Sequence, residues 1–200
     1  MSNSSSISHF LLLALADTRQ LQLLHFCLLL AISLAALLGN GLIISAVACS
    51  HHLHNPMFFF LLNLALADLG SICTTIPKAM HNSLWDTRTI SYSGCAAQVF
   101  LFVFFISAEV SLLTVMCYDR YVSICKPLHY GTLLGSRACA HMAAAAWATF
   151  AYLKPPSISS PSLDLGVSVL YSVVPPALNP VIYSLRNQEL KDALRKMTTG

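Results

Sequence analysis

Asp68 and Glu109 are acids set inside long apolar stretches, and Asp119 and Arg120 close another such stretch in MCYDRYVSICKPLHY, residues 116–130. Each is costly to bury. An ionised acid at the centre of a membrane helix costs about 2.5–3.5 kcal/mol on insertion scales, so a working role is the default reading. The bland alternative is a pair of neutral, hydrogen-bonded acids that only hold helices together. Asp119 and Arg120 lie at the end of a run, where Arg120 can reach water, headgroups or a neighbouring acid. They read either as a snorkelling anchor or as a switch, a charged pair held in one state and released in another. His51, His52 and His54 cluster in a short polar segment. They admit metal binding, but a solvated loop explains them, and no metal site is expected.

The elements that position these groups follow from composition. The chain has 200 residues, 56% hydrophobic and 10% charged, with mean hydropathy +0.67. A soluble domain is nearer a quarter charged. So few charges cannot cover a water-facing surface, and the apolar runs argue for a helix bundle in a lipid bilayer. A net charge of +3 is too small to suggest nucleic-acid binding. No Gly-rich phosphate loop, HExxH or CxxC motif is present, so an enzyme is not expected, nor a cofactor.

Five runs are legible: about 23–49, 57–79, 96–118, 138–153 and 163–185. The first three are long enough to cross about 30 Å of hydrocarbon as helices. The last is broken by Pro175, Pro176 and Pro180. The fourth spans only about 24 Å at 1.5 Å per residue, so it needs thinning or tilt to fit. Arg120, Lys126 and Arg137 follow the third run, and Arg186, Lys191, Arg195 and Lys196 follow the last. Both segments are expected in the cytoplasm. Residues 1–22 are then extracellular, with no basic residue ahead of Phe10–Ala16 to make a signal peptide. Asn3-Ser4-Ser5 becomes a glycosylation sequon on the correct side, although so short a pattern also arises by chance. Residues 186–200 place Leu190, Ala193, Leu194 and Met197 at helical spacing, and this basic tail is expected along the inner leaflet.

MCYDRYVSICKPLHY closely resembles the third-helix signature of the olfactory receptors, within the rhodopsin-like G-protein-coupled receptors. GNGLIISAV resembles their first helix, HHLHNPMFFFLLNLALADL their first inner loop and second helix, and PPALNPVIYSLRNQELKDALRKM their seventh helix and the short helix after it. Phe58 stands where the family usually has Tyr. The resemblance implies an all-α, multi-pass bundle of the seven-helix receptor type, here reduced to about five spans. RACAHMAAAAWATF resembles the start of the fourth helix, with Trp147 as its tryptophan, and AYLKPPSISSPSLD the end of the sixth and the last outer loop. The join falls near Phe150. Removing two spans keeps the parity, so the tail still faces inward.

The resemblance also implies roles. Asp119, Arg120 and Tyr121 would form the G-protein switch. Asp68, Glu109 and Asn179 would line a polar cavity. Pro180, which removes one helix hydrogen bond, and Tyr183 would serve as an activation hinge, or simply as a packing kink. Phe102, Phe105 and Ile106 would line an odorant pocket, or only pack. Cys95 matches the cysteine that ties the third helix to the second outer loop; with that loop missing it is expected as a free or intermolecular thiol. The other cysteines would pack as small hydrophobes. Implied partners are a small volatile odorant, a heterotrimeric G protein of the stimulatory olfactory type and the bilayer. Implied location is the plasma membrane with the N-terminus outside. The competing expectation is a non-signalling fragment that is retained in the endoplasmic reticulum, degraded, or paired with a full-length receptor.

Overall fold

The computed structural model describes residues 9–12, 18–49, 56–85, 87, 89–148, 174–183 and 187–199. Three long helices dominate: α1 (Arg19–Cys49), α2 (Pro56–Trp85) and α3 (Tyr92–Cys125). Among the described residues these three are long and apolar enough to cross a membrane. At 1.5 Å per residue each runs about 45–51 Å, longer than the hydrocarbon, so the ends extend into the headgroup zone. α3 leads through a 3-10 turn (Pro127–His129) and the short α4 (Tyr130–Leu133) into α5 (Ser136–Ala148). Residues 174–183 form α6, and α7 is Gln188–Thr199.

The helices overrun the expected runs. α2 continues through Pro77 to Trp85, and α3 begins at Tyr92 and ends at Cys125. Of the run at 138–153 the structure describes a helix to Ala148, and of the run at 163–185 it describes 174–183; the remainder lies outside the described residues. A small sheet is an addition that hydrophobic pattern does not reveal. β1 (His9–Leu11) pairs antiparallel with β2 (Thr89–Ser91), and Phe10 meets the Tyr92 ring at 5.8 Å. Thus the N-terminal segment is tied to the loop between α2 and α3. Ser91 also caps α3, its Oγ accepting from the Gly94 amide at 3.1 Å.

The main core lies where α1, α2, α3, α5 and α7 meet. Phe58, Phe60, Leu64, Leu112, Val122 and Leu190 are essentially inaccessible there. Phe58 is fully buried, so a bare ring suits a place where a phenol would need a partner. Hydroxyls inside the spans are satisfied locally: Ser107 donates to the Val103 carbonyl at 2.7 Å, Thr114 to Val110 at 2.8 Å and Thr74 to Gly70 at 2.7 Å. Lipid offers no other partner, and this back-bonding satisfies each hydroxyl while tending to bend the helix slightly. The start of α1 is tied by Arg19, whose guanidinium donates to the Leu84 carbonyl at 2.7 Å in the last turn of α2.

Candidate functional site

Asp68 on α2, Glu109 on α3 and Asn179 on α6 converge in the interior, and all three are buried. The Asn179 amide donates to both Asp68 oxygens, at 3.3 and 3.2 Å, and to Glu109 Oε1 at 3.3 Å. One amide therefore bridges three helices. It has two hydrogens for three acceptors, so the junction remains rich in acceptors. Ser71, one turn after Asp68, is fully buried, and its Oγ has no partner among the described residues. Such a junction can hold a proton between the acids or admit a small cation. Among the described residues no group of three His, Cys, Asp or Glu is placed to hold a metal ion, and the histidines at 51, 52 and 54 lie outside them.

α6 is fastened by chemistry that Pro180 creates. Proline has no N–H, so the carbonyl four residues back, on Pro176, loses its helical donor. The Asn40 side chain of α1 supplies one: Nδ2 reaches the Pro176 oxygen at 3.0 Å, as well as Ala36 at 3.0 Å. Gly39 gives the space, since a Cβ there would stand 2.9 Å from Cβ of Pro180. Gly39 and Asn40 thus act as a socket for the proline kink. Tyr183 packs, half-buried, on the main core. In the sequence Asn40 is one polar residue in an apolar run. The signal that could have found it is the orphan carbonyl that any helix proline leaves.

Toward the C-terminal end of α3, Asp119 turns into the bundle and is buried, whereas Tyr121 is exposed. Arg120 reaches across to α2, its Nη2 3.8 Å from the Met57 sulfur. Beyond them Leu128 in the 3-10 turn is 94% exposed, next to Lys126. That apolar projection beside Lys126 is a second residue that hydrophobic pattern does not single out.

Nearer the start of α3, Phe102, Phe105 and Ile106 share one face of the helix and are half-buried. The Phe105 ring lies directly over Gly70, where a Cβ would collide with it, and stands edge-on to Trp147 at 6.2 Å. Phe104 stacks on Trp147 at 5.4 Å, and the indole donates to Asn63 at 3.2 Å. Trp147 so pins the short α5 to α2 and α3. Cys95, in the first turn of α3, is half-buried and free. Asn3 lies outside the described residues.

The family profile described as seven-transmembrane receptor (rhodopsin family) matches residues 39–164. The human olfactory receptor 14J1 is 33% identical over 302 aligned positions, covering 98% of this chain and 94% of that protein. The human olfactory receptor 14C36 is 30% identical over 302 positions, 98% of this chain and 97% of that protein. The human olfactory receptor 14I1 reaches 48% identity over 147 residues, 74% of this chain and 47% of that protein. An alignment of 302 positions on a chain of 200 residues leaves at least 102 positions without a counterpart here.

Proposed function

The chain belongs to the olfactory receptors of the rhodopsin-type seven-transmembrane family, and from that premise we propose a receptor for small volatile odorants whose inner face addresses a heterotrimeric G protein of the stimulatory type. The observation that carries this reading is the three-helix junction of Asp68, Glu109 and Asn179, joined to the Pro180 kink held by Asn40. It links α6 to α3, whose last two turns carry Asp119 and Arg120, with the exposed Leu128 in the 3-10 turn beyond. A shift of α6 at the kink is therefore felt along α3 at the cytoplasmic end. Exposed Tyr121 and Leu128, flanked by Lys126, suit a partner with an apolar pocket and an acidic rim. The N-terminus outside, a glycan on Asn3 and a cytoplasmic α7 complete this topology.

A second reading is favoured by the 102 positions without a counterpart. With the resemblances to the fourth and sixth helices meeting near Phe150, they support the reading of an internally shortened receptor that does not signal alone. Glu109 keeps its Asn179 partner, yet the outward face of α3 is bare, and a chain exposing it is held in the endoplasmic reticulum. The test is cAMP production by this chain and by a version carrying the missing segment of a longer relative, at matched surface levels. The expected result is a response from the restored chain only. Equal odorant responses would reject the second reading, and silence from both would reject the first.

A further inference from the structure

The Arg120 guanidinium carries five N–H donors in a fixed fork. Among the described residues its side-chain partner is the Met57 sulfur, 3.8 Å from Nη2. A thioether is a weak acceptor, so a strong cationic donor faces a group that barely answers it. Met57 is the second residue of α2, packs on the edge of the main core and is only partly buried. We propose that Met57 is an oxidation site, where a hydroperoxide converts the thioether to a sulfoxide whose oxygen the Arg120 guanidinium then binds. The inference rests on this contact and not on odorant or G-protein action.

The atoms and electrons of the step balance. A sulfur lone pair attacks one peroxide oxygen and the O–O bond breaks. The departing oxygen takes the proton of the attacked one and leaves as water or an alcohol. Sulfur loses two electrons and the peroxide gains them. Negative charge develops on the departing oxygen, and a guanidinium beside the sulfur is a donor placed to meet it. The product suits the site better than the reactant does. An oxygen added on the guanidinium side of the sulfur lies within hydrogen-bond reach of a nitrogen that stands 3.8 Å from that sulfur. A hydrogen bond from a charged donor is among the stronger kinds. Oxidation therefore ties the start of α2 to Arg120 on α3 where a weak contact stood. Other methionines sit among apolar groups: Met116 is 3% exposed, and Met80 and Met142 pack against the two apolar clusters. A sulfoxide at those places would set a polar oxygen among apolar side chains, which is costly.

The experiment treats the whole chain in lipid vesicles with hydrogen peroxide. Peptide mass spectrometry locates the added oxygen, and thermal unfolding gives the midpoint. Met57 should gain its oxygen several-fold faster than Met116. The oxidised chain should unfold at or above the midpoint of the untreated one. In an Arg120→Leu variant the same oxidation should lower the midpoint by at least about 2 °C. Met57→Leu, treated alike, gives the background from the remaining methionines. Met116 oxidised as fast as Met57 would overturn the proposal. So would an equal change of midpoint in the parent and Arg120→Leu chains once that background is subtracted. Because loss of Arg120 can harm folding, a second comparison keeps it in place. Met57→Gln presents a carbonyl oxygen where the sulfoxide would carry its own. It should unfold no lower than Met57→Leu, although leucine is the better residue for a position that only packs. A Met57→Leu chain more stable than Met57→Gln by about 2 °C or more rejects the proposal.

Discussion

The Asn40 amide and the Pro176 carbonyl show how one residue's chemistry is decided by another's defect. If Asn40 exists to serve the carbonyl that Pro180 orphans, Asn40→Leu should lower stability by about 1–3 kcal/mol, the usual cost of a buried group left unpaired. In a Pro180→Ala background the helix regains its own donor, and the same substitution should cost much less. Thermal unfolding of the four proteins in detergent measures this, and equal costs in the two backgrounds would refute the assignment. At the acid junction, Asn179→Leu removes the donor that bridges Asp68 and Glu109 among the described residues. It should destabilise the chain, and adding Asp68→Asn, which brings a new amide and removes one acid, should recover part of the loss. If the double variant is no better than the single, the junction is not governed by donor supply.

Between elements, the contact that decides how closely α2 and α3 approach is Gly70 beneath Phe105. A methyl group there enters the ring's volume, and the ring is backed by Trp147. Gly70→Ala should therefore cost about 1–3 kcal/mol, the range for overpacking. Phe105→Leu placed on top should restore stability by freeing the space. Recovery is read as a return of the unfolding midpoint, and a Gly70→Ala chain as stable as its parent would remove the argument. α7 offers a parallel case. Its polar face carries Lys191, Arg195 and Lys196, but Leu190 is fully buried in the core with α1. The tail is thus anchored by protein packing as well as by lipid, and Leu190→Ala should cost about 2–5 kcal/mol.

For the whole molecule, the small sheet joins the N-terminal segment to the loop before α3, and it puts both on one side with Cys95. If that side is outer, an impermeant maleimide should label Cys95 in intact cells that display the chain, and a C-terminal tag should resist added protease. Labelling that needs prior reduction would show a disulfide partner, and a protease-sensitive tag would reverse the topology.

The membrane character, the three long helices and the family were all legible in the sequence, because apolar runs of spanning length and short motifs such as MCYDRYVSICKPLHY are local properties. Placement of Asp68, Glu109 and Asn179 in one cavity came through resemblance, and the structure brings them together at hydrogen-bond distance. What only the tertiary structure decided depends on pairs distant in the chain. The Asn40 bond to Pro176 joins residues 136 positions apart, and no local pattern encodes it. The collision space over Gly70 and the strand pairing of His9–Leu11 with Thr89–Ser91 are of the same kind. Periodicity tells a helix which residues share a face. Which face meets a neighbour, and which is left uncovered, is fixed only when the other helices take their places.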